Sequence, residues 1–240
     1  MIFFSFNSTR QDTTFTGFSL RWYEALLRDT KLVEGFWLSV KIAAITGCLS
    51  VVLGTLCAYV LVRIKRFRGR GLFSLMVTAP LVIPEVIMGL SMLLLLVGIQ
   101  HLVGWPERGM MTIILGHTMM GLSYSMVVIQ SRLREMDASL EEAALDLGAR
   151  PINVFFLVTL PNLRYALVSA FLLSFTLSFD DVVIAEFLSG PGVNTLPQVI
   201  FGYARRGINP TIFAAASILI MVVSLFGLGF AATLRSQGRA

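Results

Sequence analysis

The strongest constraint in this sequence is a series of five long apolar segments, each near or above the ~20 residues that a membrane-spanning helix requires. They occupy residues 36–62, 72–98, 110–129, 158–184 and 211–234. Charged residues make up only 14% of the chain, against about 25% in a soluble domain. The chain therefore cannot cover a water-facing surface of its own. The sequence predicts an all-α, polytopic transmembrane helical bundle with five spans, and excludes an ordinary soluble enzyme, a disordered chain or a coiled coil.

The basic residues between these segments predict the orientation of the bundle. Five of them fall in the loop 63–71, three in the loop 130–157 and two in the tail 235–240. Because loops rich in Lys and Arg stay on the cytoplasmic side, we place all three, including the C-terminus, in the cytoplasm. The net charge of +5 then indicates a membrane anchor, and we expect no nucleic-acid partner.

The N-terminal residues 1–35 do not fit a simple five-span protein. With five spans and a cytoplasmic C-terminus, these residues lie on the external side and would have to cross the membrane, yet they contain no signal peptide. The chain opens with the apolar run Met1-Ile2-Phe3-Phe4-Ser5-Phe6, which is typical of the end of a membrane helix. We therefore expect that a first helix is missing, through truncation or a misassigned start, and that 1–35 holds its end plus an external segment. The alternative is a native five-span chain whose tail is translocated. The membrane domain is expected to cover 36–234.

A short capped helix is predicted in the second cytoplasmic loop, at about 139–148. Ser139 and Glu142 have the spacing of a capping box, and Gly148 suits the left-handed position that follows a last helical turn. Because a helix this short is marginal alone in water, we expect another protein to pack on it.

This loop resembles the cytoplasmic signature of ABC importer permeases, which is Glu-Ala-Ala, three residues, Gly, nine residues, Ile or Val, one residue and Leu-Pro. The matching positions, with every spacing kept, are Glu142, Ala143, Ala144, Gly148, Val158, Leu160 and Pro161. The resemblance implies the type I ABC importer permease fold. It also identifies the predicted helix as the coupling helix, which sits in a groove of the ATP-binding subunit.

Further motifs narrow the resemblance to the polyamine (spermidine/putrescine) permeases. These motifs are residues 175–184 with Ser189-Gly190-Pro191, Ser5-Phe6-Asn7-Ser8, Arg21-Trp22-Tyr23, Phe67-Arg68-Gly69, Ala79-Pro80 and Pro84-Glu85. The run Gly104-Trp105-Pro106 with Arg108-Gly109 is most like the second permease of a putrescine-type system. One departure is Glu85, which stands where the family pattern has aspartate and keeps the charge.

The resemblance implies a multi-pass subunit of the bacterial inner (plasma) membrane that imports putrescine or spermidine. Its implied partners are a dimer of ATP-binding subunits, a second permease in a heterodimer, an external polyamine-binding protein and membrane lipid. The sequence has no P-loop, nucleophile–base pair or Cys/His cluster, so we expect no enzyme activity, cofactor or metal site. The alternatives are an ABC permease for another small solute, an ion-coupled secondary transporter and, third, a membrane-embedded enzyme.

Three carboxylates fall within the predicted spans: Glu85, Asp180 and Asp181. A charged side chain at a helix centre costs about 2.5–3.5 kcal/mol on insertion scales, so each needs a partner or a water-filled path. Polyamines are elongated cations with ammonium ends, which acidic side chains along a path would suit. We expect these three residues to line the substrate pathway. The alternative is an ion pair inside the bundle, for instance with Arg164, or the capping of a broken helix.

Overall fold

The computed structural model describes residues 3–8, 17–64, 66–205, 211, 213–218, 220–221 and 224. The regular elements among these residues are helical, which confirms the predicted all-α class, and one isolated bridge joins the extended backbone of Asn7 and Phe18. The helices are α1 Arg21–Arg28, α2 Thr30–Arg63, α3 Arg70–Thr78, α4 Glu85–Val103, α5 Met110–Glu135, α6 Ser139–Asp146, α7 Pro151–Val154, α8 Leu160–Asn162, α9 Arg164–Asp180, α10 Val183–Leu188 and α11 Leu196–Arg205. A π-helical turn, Phe155–Thr159, joins α7 to α8, and short 3-10 turns lie at Phe3–Phe6 and Ala79–Leu81.

Three helices in the described part of the chain are long and apolar enough to cross a membrane, namely α2, α4 and α5. The segment Pro151–Asn162 and helix α9 add a fourth span if they are counted together, although they are bent by 72°. The last predicted span, 211–234, lies largely outside the described residues, so the total of five stays a prediction.

Helix α2 begins earlier than its apolar composition indicates. The apolar segment starts at residue 36, whereas the helix starts at Thr30. Asp29 explains the difference, because its Oδ1 accepts the N–H groups of Lys31 and Leu32 at 3.1 and 3.3 Å. A carboxylate in this position satisfies donors that the first turn leaves without intrahelical partners.

The second predicted span is not one continuous helix. Helix α3 ends at Thr78, a 3-10 turn follows, and α4 begins at Glu85. Pro80 and Pro84 cause the interruption, because proline lacks the N–H that a helix needs, and Pro84 itself has extended backbone with ψ 136°. The apolar run 72–98 therefore contains two half-helices and an irregular stretch between them.

Residues 39–193 form one compact unit, and 1–38 with 194–240 form another. In the first unit, small residues bring α2 and α5 close together. A Cβ added at Gly54 would lie 2.8 Å from the Cβ of Ser125, and Ser125 Oγ hydrogen-bonds the Oγ of Ser174 on α9 at 2.8 Å. Such small and hydroxylated residues are typical of packed membrane helices. In the second unit, Tyr203 Oη donates to Asp29 Oδ2 at 2.8 Å.

Candidate coupling helix and substrate pathway

Helix α6 is the predicted cytoplasmic helix, and its first turn is capped differently from the prediction. The residue before the helix, Ala138, offers no side-chain cap. Instead, the backbone N–H of Ser139 donates to Asp137 Oδ1 at 2.9 Å. This bond and one from the Ser139 side chain hold the pKa of Asp137 below its ordinary value. The predicted capping box of Ser139 and Glu142 is wrong, because Ser139 lies inside the helix and Asp137 already accepts its N–H.

The C-terminal end of α6 has the predicted geometry. Gly148 has φ +84°, which confirms the left-handed position. Its N–H donates to the carbonyl of Leu145 at 2.9 Å, and the N–H of Ala149 donates to the carbonyl of Ala144 at 3.1 Å. This pair of bonds is the Schellman motif, in which glycine avoids the Cβ strain of the left-handed region.

One side of α6 is open and partly apolar. Glu142 and Ala143 are exposed and Ala144 is half-buried. Leu140 and Leu145 are about half exposed, and Leu147 is 90% exposed. Exposed apolar side chains that lie next to one another indicate a surface that another protein covers.

The buried side of α6 contacts the rest of the bundle through Glu141. Its Oε1 accepts the Thr159 hydroxyl at 2.6 Å, and its Oε2 lies 2.7 Å from Arg63 Nε. The Arg63 N–H does not point at the oxygen, so this contact is an ion pair without hydrogen-bond geometry. This contact was not predicted from the sequence, in which Arg63 counts only as one of the basic residues that indicate topology. Helical periodicity could have placed Glu141 about 100° around the helix from Glu142.

The Leu-Pro of the signature lies at the other end of the same loop. Leu160 and Pro161 form the start of α8, directly after the π-helical turn. Leu160 is half-buried and Pro161 is exposed. The 72° bend between this segment and α9 follows at once, and Leu163 at the bend is buried. The signature therefore joins an open helix to a bend in a membrane helix.

The structure gives Asp181 two kinds of partner inside the protein. Its Oδ2 lies 3.1 Å from His117 Nε2. The same carboxylate accepts the N–H groups of Ala185 and Ile184, at 2.8 and 3.4 Å, and so caps helix α10. His117 Nδ1 in turn hydrogen-bonds Ser178 Oγ at 2.7 Å. Of the readings that the sequence left open, this geometry favours the capping of a broken helix for Asp181.

Asp180 and Glu85 differ from Asp181, because both are exposed. Neither forms an ion pair with any residue that the structure describes. The alternative partner, Arg164, instead lies over the ring of Tyr165 with 4.7 Å from Cζ to the ring centroid.

The comparisons with known proteins agree with this architecture. The family described as "Binding-protein-dependent transport system inner membrane component" matches residues 50–236. The chain is 51% identical over 228 residues to the putrescine transport system permease protein PotI of Escherichia coli (strain K12), covering 95% of this chain and 81% of that protein. It is 37% identical to the spermidine/putrescine transport system permease protein PotC of Haemophilus influenzae, covering 91% and 82%.

Solved structures show the same fold at much lower identity. An inward-facing MetNI methionine ABC transporter is similar with a TM-score of 0.67 and 20% identity, over 85% of this chain and 95% of that one. A bacterial ABC transporter involved in the import of the acidic polysaccharide alginate gives a TM-score of 0.75 and 12% identity, over 97% and 87%. The chain has the fold of ABC importer permeases, and it belongs to the family of binding-protein-dependent transport system inner membrane components.

Proposed function

We propose that this chain is one permease subunit of an ABC importer that moves polyamines, putrescine or spermidine, into the cytoplasm. The observation that carries the substrate class is the 51% identity to a putrescine permease over 95% of the chain. The structures of the methionine and alginate transporters share the fold at only 20% and 12% identity. They support the class of transporter, whereas the substrate is inferred from the relatives with higher sequence identity.

The subunit forms a heterodimer with a second permease, receives substrate from an external polyamine-binding protein and is driven by two ATP-binding subunits. The open side of α6 is the docking surface for an ATP-binding subunit, with Glu142, Ala143, Ala144 and Gly148 at the contact. Leu160 and Pro161 belong to the same coupling region through the bend that follows them. The loops 63–71 and 130–157 and the C-terminal tail face the cytoplasm.

The membrane carboxylates have different roles in this proposal. Asp180 stands at the C-terminal end of α9, where the helix dipole disfavours a negative charge. With no ion pair to stabilise it, this side chain is better explained by a cationic substrate than by stability. Glu85 begins α4 directly after an irregular stretch, and irregular backbone at membrane depth is found where it lines a cavity or is buried in protein. Asp181 contributes by holding α10 in place beside them.

Uptake by the complete system tests the substrate class. All four kinds of subunit are expressed in cells that lack their own polyamine importers, and radiolabelled putrescine uptake is measured with unlabelled spermidine or an amino acid as competitor. We expect uptake that polyamines inhibit and that stops when the ATP-binding subunit carries an inactive P-loop. Uptake that persists without ATP hydrolysis would instead indicate a secondary carrier. Failure to accumulate any polyamine would indicate another solute.

Charge reversal tests the docking surface. Glu142→Lys should reduce the amount of ATP-binding subunit that co-purifies with the permease, because it places a positive charge at an exposed helix N-terminus in the contact. The matched control is Glu135→Lys, an exposed glutamate that ends α5 just before this loop. Equal co-purification with both variants would show that α6 is not the docking helix.

A further inference from the structure

Arg63, Glu141 and Thr159 connect three separate elements at the cytoplasmic side of residues 39–193. Arg63 is the last residue of α2, Glu141 lies in the first turn of α6, and Thr159 ends the π-helical turn. We propose that these three residues form a joint that transmits the movement of α6 to the membrane helices, and that they act as positioning residues for ATP-driven transport. This inference rests on the proposed docking of α6 to the ATP-binding subunit.

The joint is largely buried, and it combines one directional hydrogen bond with one ion pair. Glu141 is only 8% exposed, and Thr159 is fully buried. Each carboxylate oxygen of Glu141 has its own partner, with the Thr159 hydroxyl on one and the Arg63 guanidinium on the other. Charge-assisted contacts of this kind fix geometry more strongly than apolar contacts, which can slide. We therefore expect α6 to carry Arg63 and Thr159 with it when it moves.

The guanidinium of Arg63 depends on this contact. Its Nη2 atom is buried and has no hydrogen-bond partner among the residues that the structure describes. The Glu141 carboxylate is the counter-charge that lies within ion-pair distance. A buried charge without such a partner is strongly disfavoured, so the pair has one bound arrangement and resists partial separation.

The joint lies on a different side of α6 from the exposed part of the proposed docking surface. Glu141 points into the bundle, whereas its neighbour Glu142 is exposed. A displacement of α6 by a protein bound at its exposed surface would therefore be transmitted through Glu141 to the end of α2 and to the π-helical turn. That turn leads into the 72° bend, and beyond the bend α9 ends at Asp180. The joint thus links the docking surface to the helix that carries a proposed pathway carboxylate.

The test compares transport with ATP hydrolysis in the complete complex, reconstituted in lipid vesicles with the binding protein and putrescine. The variants are Glu141→Gln, which removes the charge, and Thr159→Val, which removes the hydroxyl and keeps the shape. We expect the complex to assemble and hydrolyse ATP, while the amount of putrescine transported per ATP falls to a small fraction of the wild-type value. The double variant Arg63→Glu with Glu141→Arg, which exchanges the two charges, should restore part of the lost transport per ATP.

The matched control is the ion pair of Arg132 and Glu135, whose side chains are 56% and 64% exposed. Replacing both with Gln should leave the transport-to-hydrolysis ratio unchanged. The joint is refuted if Thr159→Val and Glu141→Gln leave this ratio at the wild-type value. It is also refuted if they lower complex yield and uptake together at an unchanged ratio, because the residues would then only stabilise the fold. If the Glu141→Gln complex does not assemble, the transport-to-hydrolysis ratio of Thr159→Val alone decides whether the joint exists.

Failure of the joint and failure of the docking proposal give different results. If α6 docks but the joint is wrong, Glu142→Lys still reduces co-purification of the ATP-binding subunit while Glu141→Gln keeps a normal ratio. If α6 does not dock, Glu142→Lys leaves co-purification and transport unchanged, and the joint falls with it.

Discussion

Replacement by alanine should destabilise the protein at Asp181 but hardly at the neighbouring Asp180. Asp181→Ala removes the cap of α10, a loss of about 1 kcal/mol. It also leaves the buried His117 Nε2 without its partner, a loss of about 1–3 kcal/mol. The sum is about 2–4 kcal/mol of stability. Asp180→Ala removes an exposed side chain with no ion pair among the described residues, and should change stability by less than about 0.5 kcal/mol.

The assay measures thermal stability and putrescine uptake on the same preparation of the complete complex. Asp181→Ala should lower the unfolding temperature and the complex yield, and the loss of uptake should follow the loss of complex. Asp180→Ala, and the milder Asp180→Asn, should leave yield and unfolding temperature near wild type while uptake per complex falls.

A double variant checks the assignment of the Asp181 partner. If His117 and Asp181 act as a pair, His117→Ala combined with Asp181→Ala should cost less than the sum of the two single changes. Additive losses would show that the contact between them contributes nothing. Equal stability losses for Asp180→Ala and Asp181→Ala would refute the division of roles altogether.

Three further changes test local features of the fold. Gly148→Val should weaken retention of the ATP-binding subunit, because the left-handed backbone costs a residue with a Cβ roughly 1–2 kcal/mol; Gly148→Asn should retain more of it. Gly89→Val should lower the unfolding temperature, because a Cβ there would lie 2.6 Å from the Phe187 ring and overpacking costs about 1–3 kcal/mol. The control Gly98→Val should leave the unfolding temperature unchanged, because a Cβ there would meet no atom within 4 Å. Asp137 stabilises the first turn of α6 while ionised, so this contribution is present above its ordinary pKa and is lost as pH falls through the lowered pKa. The protection of the amides in that turn, measured relative to the intrinsic exchange rate at each pH, should fall over the same range in the wild type, and at neutral pH in Asp137→Ala.

The sequence predicted the features that depend on composition or on local backbone preference. Long apolar segments predict membrane helices because an unpaired peptide group is too costly in lipid, and the described residues contain three such helices, or four if the bent segment counts as one. The left-handed backbone at Gly148 follows from the local rule for helix ends. The break between α3 and α4 could also have been predicted, because Pro80 and Pro84 are four residues apart and each disfavours a helix at its position.

The contacts between distant segments could not be predicted in the same way. Glu141 and Glu142 have identical side chains and share one helical turn, yet one is buried and the other exposed. That difference depends on where Arg63 and Thr159 lie in the folded chain. His117 likewise looked isolated in the sequence, because its partner Asp181 is 64 residues away. A single sequence carries periodicity and spacing, but it contains no record of which polar groups meet across a bundle.

The length of α9 explains why a small movement at the bend is amplified at Asp180, the proposed pathway carboxylate. The helix has 17 residues, so Asp180 lies about 25 Å along the axis from the bend at Leu163. A tilt of about 10° around that bend would displace Asp180 sideways by roughly 4 Å, which exceeds the length of a hydrogen bond. The hydrogen bond of Thr159 with Glu141 lies four residues before the bend. A movement of α6 that pulls on Thr159 there would be amplified along the whole length of α9. Because the next residue, Asp181, is held by His117 and by the start of α10, we expect Asp180 to move together with these two partners.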